Sequence, residues 1–193
     1  MPIISRESLL TLEAYARDRK RFRARVLEHK KPRTVHLGEH LTLLFEDELT
    51  IRYQVQEMLR IEKIFEDAGI QDELDAYNPL VPDGRNWKAT LQVEYEDVEE
   101  RKRALARLKG IEDRVWVQVD GQPRVHAIAD EDLERENEEK TSSVHFLRFE
   151  LTGPAREALR KGAAVTVGVD HPQYSATAEL APEVRAALAA DVN

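Results

Sequence analysis

Val115-Trp116-Val117-Gln118-Val119-Asp120 and, later in the chain, Val165-Thr166-Val167-Gly168-Val169-Asp170 read as one strand written twice. In each copy, valine at every second position puts three β-branched side chains on one face, and the aspartate turns the chain into a further strand. The first turn is Asp120-Gly121, a hairpin signal that leads into 124–129; the second is Asp170-His171-Pro172, leading into 174–180. The correspondence extends upstream, where Leu91-Gln92-Val93-Glu94 matches Leu147-Arg148-Phe149-Glu150. Between the matching strands each copy carries a helix closed by glycine. Asp97 and Glu100 form a capping-box pattern ahead of Gly110, and Pro154 sits in the first turn of a helix that stops at Gly162.

Two β-α-β-β modules follow, 86–129 and 143–180, the second a degenerate copy of the first. Valine alternation suits any strand, so convergence stays open beside duplication. The fold class is α+β. Strands joined by a crossover helix, if parallel, take a right-handed connection, and the modules then build one mixed sheet or two sheets facing each other. In the first strand Trp87, Ala89, Leu91, Val93 and Tyr95 share one side by period two.

The N-terminal part, 1–85, is helical with one hairpin. Ser5 is a candidate N-cap for a helix reaching Lys31, with Leu9, Leu12, Tyr15, Phe22 and Val26 on one face and Pro32 as its stop. A hairpin pairs 34–37 with 41–45 around Gly38-Glu39, and a second helix runs over 49–67 to a stop at Gly69. A short acidic helix at 71–76 leads into Tyr77-Asn78-Pro79-Leu80-Val81-Pro82-Asp83-Gly84, whose prolines and glycine demand an ordered loop. These long N-terminal helices are expected to cover the sheet. The 130–142 segment reads as a solvated acidic connector, with seven carboxylates against one arginine over 130–139, and a helix in 181–193 closes the chain.

All 193 residues are expected to form a single domain, 41% apolar and 34% charged. No run approaches the roughly 20 apolar residues of a membrane span. Met1-Pro2-Ile3-Ile4-Ser5-Arg6-Glu7 lacks a basic segment followed by an apolar one, so a cytoplasmic location is expected. The absence of cysteine removes disulfides, thiolate nucleophiles, thiolate zinc sites and iron–sulfur ligation. A net charge of −8 disfavours nucleic acid as the general partner. No phosphate-cradling glycine loop, dinucleotide fingerprint, serine elbow or paired Glu-x-x-His helix is present, so no cofactor and no catalytic residue is assigned.

Polar residues in unexpected places supply the candidate binding site. In the second helix Ile51, Val55, Met58, Leu59, Ile61 and Phe65 define an apolar arc, with Arg52, Gln56, Arg60 and Lys63 opposite. Gln54 and Glu62 project from within that arc and Glu57 from its margin. A desolvated carboxylate must be paired, bonded or shifted, so Glu62 lines a pocket or makes an internal salt bridge, for which Arg148 is the expected partner. Glu94 and Glu150 occupy matching positions of the two modules and, with His145, are weak metal candidates by analogy with duplicated metalloenzymes. His36 and His40 flank a turn without a third ligand. The stretch 17–33 holds nine Lys/Arg against Asp18 and Glu28. It complements the acidic connector within the chain or across a dimer, or grips RNA.

Arg52-Tyr53-Gln54-Val55-Gln56-Glu57-Met58-Leu59-Arg60, Asp72-Glu73-Leu74-Asp75-Ala76 running into the 77–84 loop, and Ser143-Val144-His145-Phe146-Leu147-Arg148-Phe149-Glu150 resemble a bacterial family catalogued as domain of unknown function 3501. The likeness covers nearly the whole chain. Members of that family are often encoded beside a rubrerythrin and a cysteine-rich iron–sulfur protein related to heterodisulfide reductase subunits. The resemblance therefore implies a setting in peroxide defence or redox metabolism, with redox proteins as partners, and it supplies no catalytic residues.

The leading expectation is a non-catalytic accessory or binding protein, homodimeric, with no membrane association. Its recognition surface draws on Gln54, Glu57, Glu62, Tyr77, Asn78, His145 and Arg148. The rival is a metal- or small-ligand-dependent enzyme using Glu62, Glu94, Glu150 and His145. A third reading is an RNA-associated protein acting through the basic first helix.

Overall fold

The computed structural model describes residues 4–132, 134–137 and 139–193. Met1-Pro2-Ile3 of the leader reading, and Leu133 and Glu138 of the connector, lie outside the described residues. The described residues form α1 (Leu12–Lys30), β1 (Thr34–Leu37), β2 (Leu41–Glu46), α2 (Glu48–Glu62), α3 (Asp67–Tyr77), β3 (Asn86–Val93), α4 (Val98–Arg107) and β4 (Val115–Val119). There follow β5 (Val125–His126), β6 (Ile128–Ala129), β7 (Val144–Glu150), α5 (Gly153–Arg160), β8 (Val165–His171), β9 (Tyr174–Glu179) and α6 (Pro182–Ala190).

The class is α+β, and the strands form two antiparallel sheets, ordered β1-β2-β3-β7-β6 and β5-β4-β8-β9. Among the described residues every strand pair is antiparallel and neither sheet is mixed, because α4 and α5 each carry the chain out of the first sheet and into the second. The strand expected over 124–129 divides between the two sheets: β5 pairs with β4 and β6 with β7. Across the modules, β3 pairs with β7 and β4 with β8, so each strand lies beside its own counterpart.

Period two decides which side chains fill the space between the sheets. Leu43, Phe45, Trp87, Leu91 and Phe149 from one sheet meet Val115, Val117, Val165, Val167 and Val169 from the other, all fully or almost fully buried. Leu105, Leu159 and Leu188 close the core from α4, α5 and α6, and the Trp87 indole N–H donates to the Leu188 carbonyl at 3.0 Å. On the outer side of the second sheet the Trp116 ring lies over Gly168, its cross-strand partner. A Cβ there would collide with the indole, so glycine is required. Arg124 stacks over the same ring at 3.8 Å.

The N-terminal helices build a second, smaller core from Ile4, Leu9, Ile51, Val55, Leu59, Ile70 and Leu74. Two boundaries differ from the sequence expectation. Ser5 caps only a short 3-10 turn, Arg6–Ser8, and α1 starts later with Thr11 accepting from the Ala14 N–H. The intervening break is satisfied by Gln56, whose amide accepts from Leu10 N–H at 2.6 Å and donates to the Leu10 carbonyl at 3.3 Å. Gln56 is therefore buried, not solvated. At the other end α2 stops at Glu62 because Lys63 turns left-handed with φ 55°, and α3 has already begun before Gly69. The turn leaves Ile61 and Phe65 exposed. No helix among the described residues is long and apolar enough to cross a membrane.

Candidate functional site

The seven sequence candidates do not converge. Glu62, the last residue of α2, is exposed, and the expected pair with Arg148 does not form. Glu57 instead ties α2 to α1. It accepts from Arg19 Nε and Nη2 at 2.7 and 2.8 Å and from the hydroxyl of fully buried Tyr15 at 2.6 Å. The Arg19 guanidinium, helped by the tyrosine hydroxyl, holds the Glu57 carboxyl at about 2. Gln54 lies near the Tyr77 hydroxyl, and burial pushes that phenol up. Asn78 clasps Ile4 through both amide atoms at 2.9 and 3.0 Å. His145 and Arg148 point to opposite faces of β7, one inward and one outward, so they cannot line one pocket.

Glu94 and Glu150 cannot share an ion. Pairing places Glu150 opposite Asn86, at the far end of β3 from Glu94 and about 27 Å away at strand rise. Glu94 accepts from Thr42 Oγ1 at 2.6 Å, and Glu150 from Arg148 Nη1 at 2.8 Å. His36 turns to Thr42 and His40 stacks on Tyr95 with ring centroids 3.8 Å apart. Among the described residues the Lys/Arg ion pairs of α1, and of Lys31 just after it, run to Asp18, Glu57 and Glu28. Among the described residues the connector's carboxylates pair with Arg135, Arg148, Lys109 and His145. Arg17, Lys20, Arg21, Arg23 and Arg25 face solvent.

His145 sits at the centre of a buried group that the sequence concealed. Its Nδ1 is 2.6 Å from Asp130 Oδ2, while Nε2 is 3.0 Å from Thr141 Oγ1 and from the Ser142 carbonyl and 3.6 Å from Glu112 Oε2. Burial pushes the Glu112 carboxyl up. One atom from each of Glu112, Asp130 and His145 lies within 4.8 Å of the others. The carboxylates approach opposite ring nitrogens, however. One ion could take both carboxylates and the ring only by breaking the Asp130 bond, so the arrangement is a clamp that locks the 130 turn onto β7. Asp130 also accepts from Phe146 N–H at 2.9 Å and has φ 47°.

A second buried charge group joins α1, α2 and α6. Arg33 forks onto Asp191 at 2.7 and 2.8 Å and reaches Asp47, the N-cap of α2, at 3.0 Å. Beside it Glu46 is buried and accepts from Thr50 and Thr90, and desolvation pushes its carboxyl up. All these groups are spent on one another.

One arrangement open to a ligand is a groove of about 440 Å³ between α3, the Asn78–Leu80 turn and the outer face of β3 and β7; a larger, more polar hollow of about 850 Å³ lies by His40, Glu94 and Arg101. Ala76, Pro79, Leu80 and Phe146 give the groove apolar walls, and Lys88, Arg148, Asp75, Glu131 and Asp132 its charges. Lys88 and Arg148 are directly opposed across the strands. Glu131 takes Arg148 bidentately, both distances 2.9 Å, and that guanidinium holds the Glu131 carboxyl below the usual carboxylate range. Half-buried Lys88 has no hydrogen bond or ion pair among the described residues, and burial pushes its amine down. Two of the three expected recognition segments therefore meet here, the 77–84 loop and the 144–150 strand, with α3 in place of α2. Lys88 was legible, since the period that sends Trp87 and Ala89 inward sends it out beside Arg148. Asp130 and Glu112 carried no local signal among so many acids.

Comparison with known proteins gives a family and a structure. The family described as a protein of unknown function, DUF3501, matches residues 3–192. A protein of unknown function from Burkholderia pseudomallei K96243, with a crystal structure at 1.90 Å, is 60% identical over 100% of both chains, and its TM-score is 0.95. No curated protein matches the chain.

Proposed function

The chain belongs to the DUF3501 family, and we propose that it is a non-catalytic binding protein whose recognition site is the groove beside Lys88 and Arg148. The carrying observation is that groove: apolar walls and unspent charge brought together by α3, the 78–80 turn, β3 and β7. Its volume falls in the range usual for specific ligand sites. The conspicuous catalytic-looking groups support the same reading by contrast. Asp130–His145–Glu112, Arg19–Glu57–Tyr15 and Arg33–Asp191 are each consumed by partners within the chain.

The setting we propose is accessory to a bacterial redox system in the cytoplasm, with the iron–sulfur protein encoded beside family members as partner. What supports it is the family resemblance together with a chain that has no cysteine for a cluster of its own. A homodimer fits the same reading, because Ile61 and Phe65, 57% and 71% exposed, offer an apolar contact for a second copy. The test is titration of the purified chain with that iron–sulfur protein. Binding that Leu80→Asp abolishes supports the reading; binding indifferent to that change removes the groove from it.

A second reading, a metal-dependent enzyme, has its own observation in Glu112, Asp130 and His145. Elemental analysis finding stoichiometric zinc or iron that His145→Gln removes would favour it. The RNA reading rests on the solvent-facing cations of α1 and predicts salt-sensitive retention of nucleic acid.

A further inference from the structure

We propose that the groove binds a small organic carboxylate, its anionic end on Lys88 Nζ and its apolar body against Pro79, Leu80 and Phe146; this rests on the binding reading of the groove. Like charges directly opposed on neighbouring strands destabilise a sheet, and Lys88 faces Arg148 across β3 and β7. Among the described residues only one of the two cations is ion-paired; Glu46, opposite Lys88 on β2, accepts from Thr50 and Thr90 instead. Arg148 takes Glu131 at 2.9 Å through two nitrogens and Glu150 at 2.8 Å through the third. Glu131 and Glu150 are thereby committed to the guanidinium, while Asp132, also at the groove, pairs with Arg135 and Asp75 accepts from Gln71. The ammonium is left half-buried without a hydrogen bond, in a chain with eight more acids than bases (37 against 29).

A desolvated, unpaired ammonium is costly, and a carboxylate placed on it regains a charge-assisted hydrogen bond. The direction of the Lys88 shift agrees, since burial has lowered its proton affinity and an anion would restore it. The walls set the rest of the ligand. About 440 Å³ lined by proline, leucine and phenylalanine side chains suits an aryl or short alkyl body. An amine seated at the same point would add a third cation to the pair, and because Asp75 and Asp132 also line the groove the amine probe separates their pull from that of Lys88.

The experiment is calorimetric titration of the full chain with 4-phenylbutyrate, 4-phenylbutyramide and 4-phenylbutylamine. The expected result is saturable binding of the carboxylate, with the amide and amine weaker by about tenfold or more, the worth of one charged hydrogen bond. Lys88→Met should weaken the carboxylate to the level of the amide, and Lys88→Arg should retain it, with thermal melts showing both variants folded. Amine binding as tight as carboxylate binding, or Lys88→Met without effect, overturns the proposal. If no probe binds while Leu80→Asp still abolishes the iron–sulfur partner, the carboxylate falls and the binding reading stands. If Lys88-dependent phenylbutyrate binding occurs and the partner ignores the groove, the carboxylate stands and the protein partner is removed.

Discussion

Val117 of β4 lies directly opposite Val167 of β8, and these two residues also coincide when the modules are aligned by their valine strands. Thr90 and Phe146 behave alike in β3 and β7: they pair in space and match in the Leu91/Leu147 alignment. Pairing of a residue with its own counterpart is what a two-fold axis between the modules imposes. Convergent strands have no reason to meet in that register twice, so the geometry supports duplication.

The two valines, both fully buried, should therefore be energetically coupled. Val117→Ala and Val167→Ala are each expected to cost about 2 kcal/mol. The double variant should depart from their sum by about 0.5 kcal/mol or more, since the side chains touch one cavity. Urea unfolding of the four proteins in the cycle measures it.

Glu57 gives stability an acid limb. Its carboxyl is held at about 2 against an ordinary 4.5, so the folded state binds fewer protons than the unfolded one between those values. The contribution is complete above 4.5 and is lost as pH falls towards 2. Glu57→Gln should cost about 2 kcal/mol at neutral pH and almost nothing at pH near 2, read from melts across that window.

Glu46 acts with the opposite sign. Burial raises its carboxyl, so the folded state holds a proton that the unfolded chain has released. The benefit is full below the ordinary carboxylate value and declines as pH rises through the raised one. Glu46→Gln keeps a polar group beside Thr50 and Thr90 and should flatten that decline in denaturant midpoints measured from weakly acidic to neutral pH.

Arg33→Met should be severe, about 3–5 kcal/mol, because it strands Asp47 and Asp191 beneath α1, α2 and α6. Arg33→Lys should recover only part, since an ammonium cannot reproduce the fork onto Asp191. Hydrogen exchange localised to α6 would show whether that helix loosens first.

The strands were legible because period two is written into every copy, and Asp97, Gly110 and Gly162 announced their helix ends. The limits of α2 were not, because Ile61 and Phe65 continue the apolar arc past the point where Lys63 turns left-handed. A helical wheel assumes the helix goes on. His145 was open to inspection, as it shares the inward phase of Leu147 and Phe149. Its partners were not: Asp130 and Glu112 are brought to it by a turn and a crossover, and a run of acids offers nothing to single out one. The groove stayed half visible for that reason, its strand residues readable and its α3 wall a product of tertiary packing.

The two tryptophans report on different sheets. Trp87 stands in apolar surroundings in the first, tethered to a helix carbonyl, while Trp116 in the second lies between Gly168 and a guanidinium, its indole N–H on Asp170 at 2.9 Å. Their emission should differ in colour and intensity, the cation-stacked ring being the quenched one. Replacing either by phenylalanine leaves a single tryptophan, excited selectively on the red side of the tyrosine band, so the order in which the layers of the sandwich separate can be timed in stopped flow without attaching a dye.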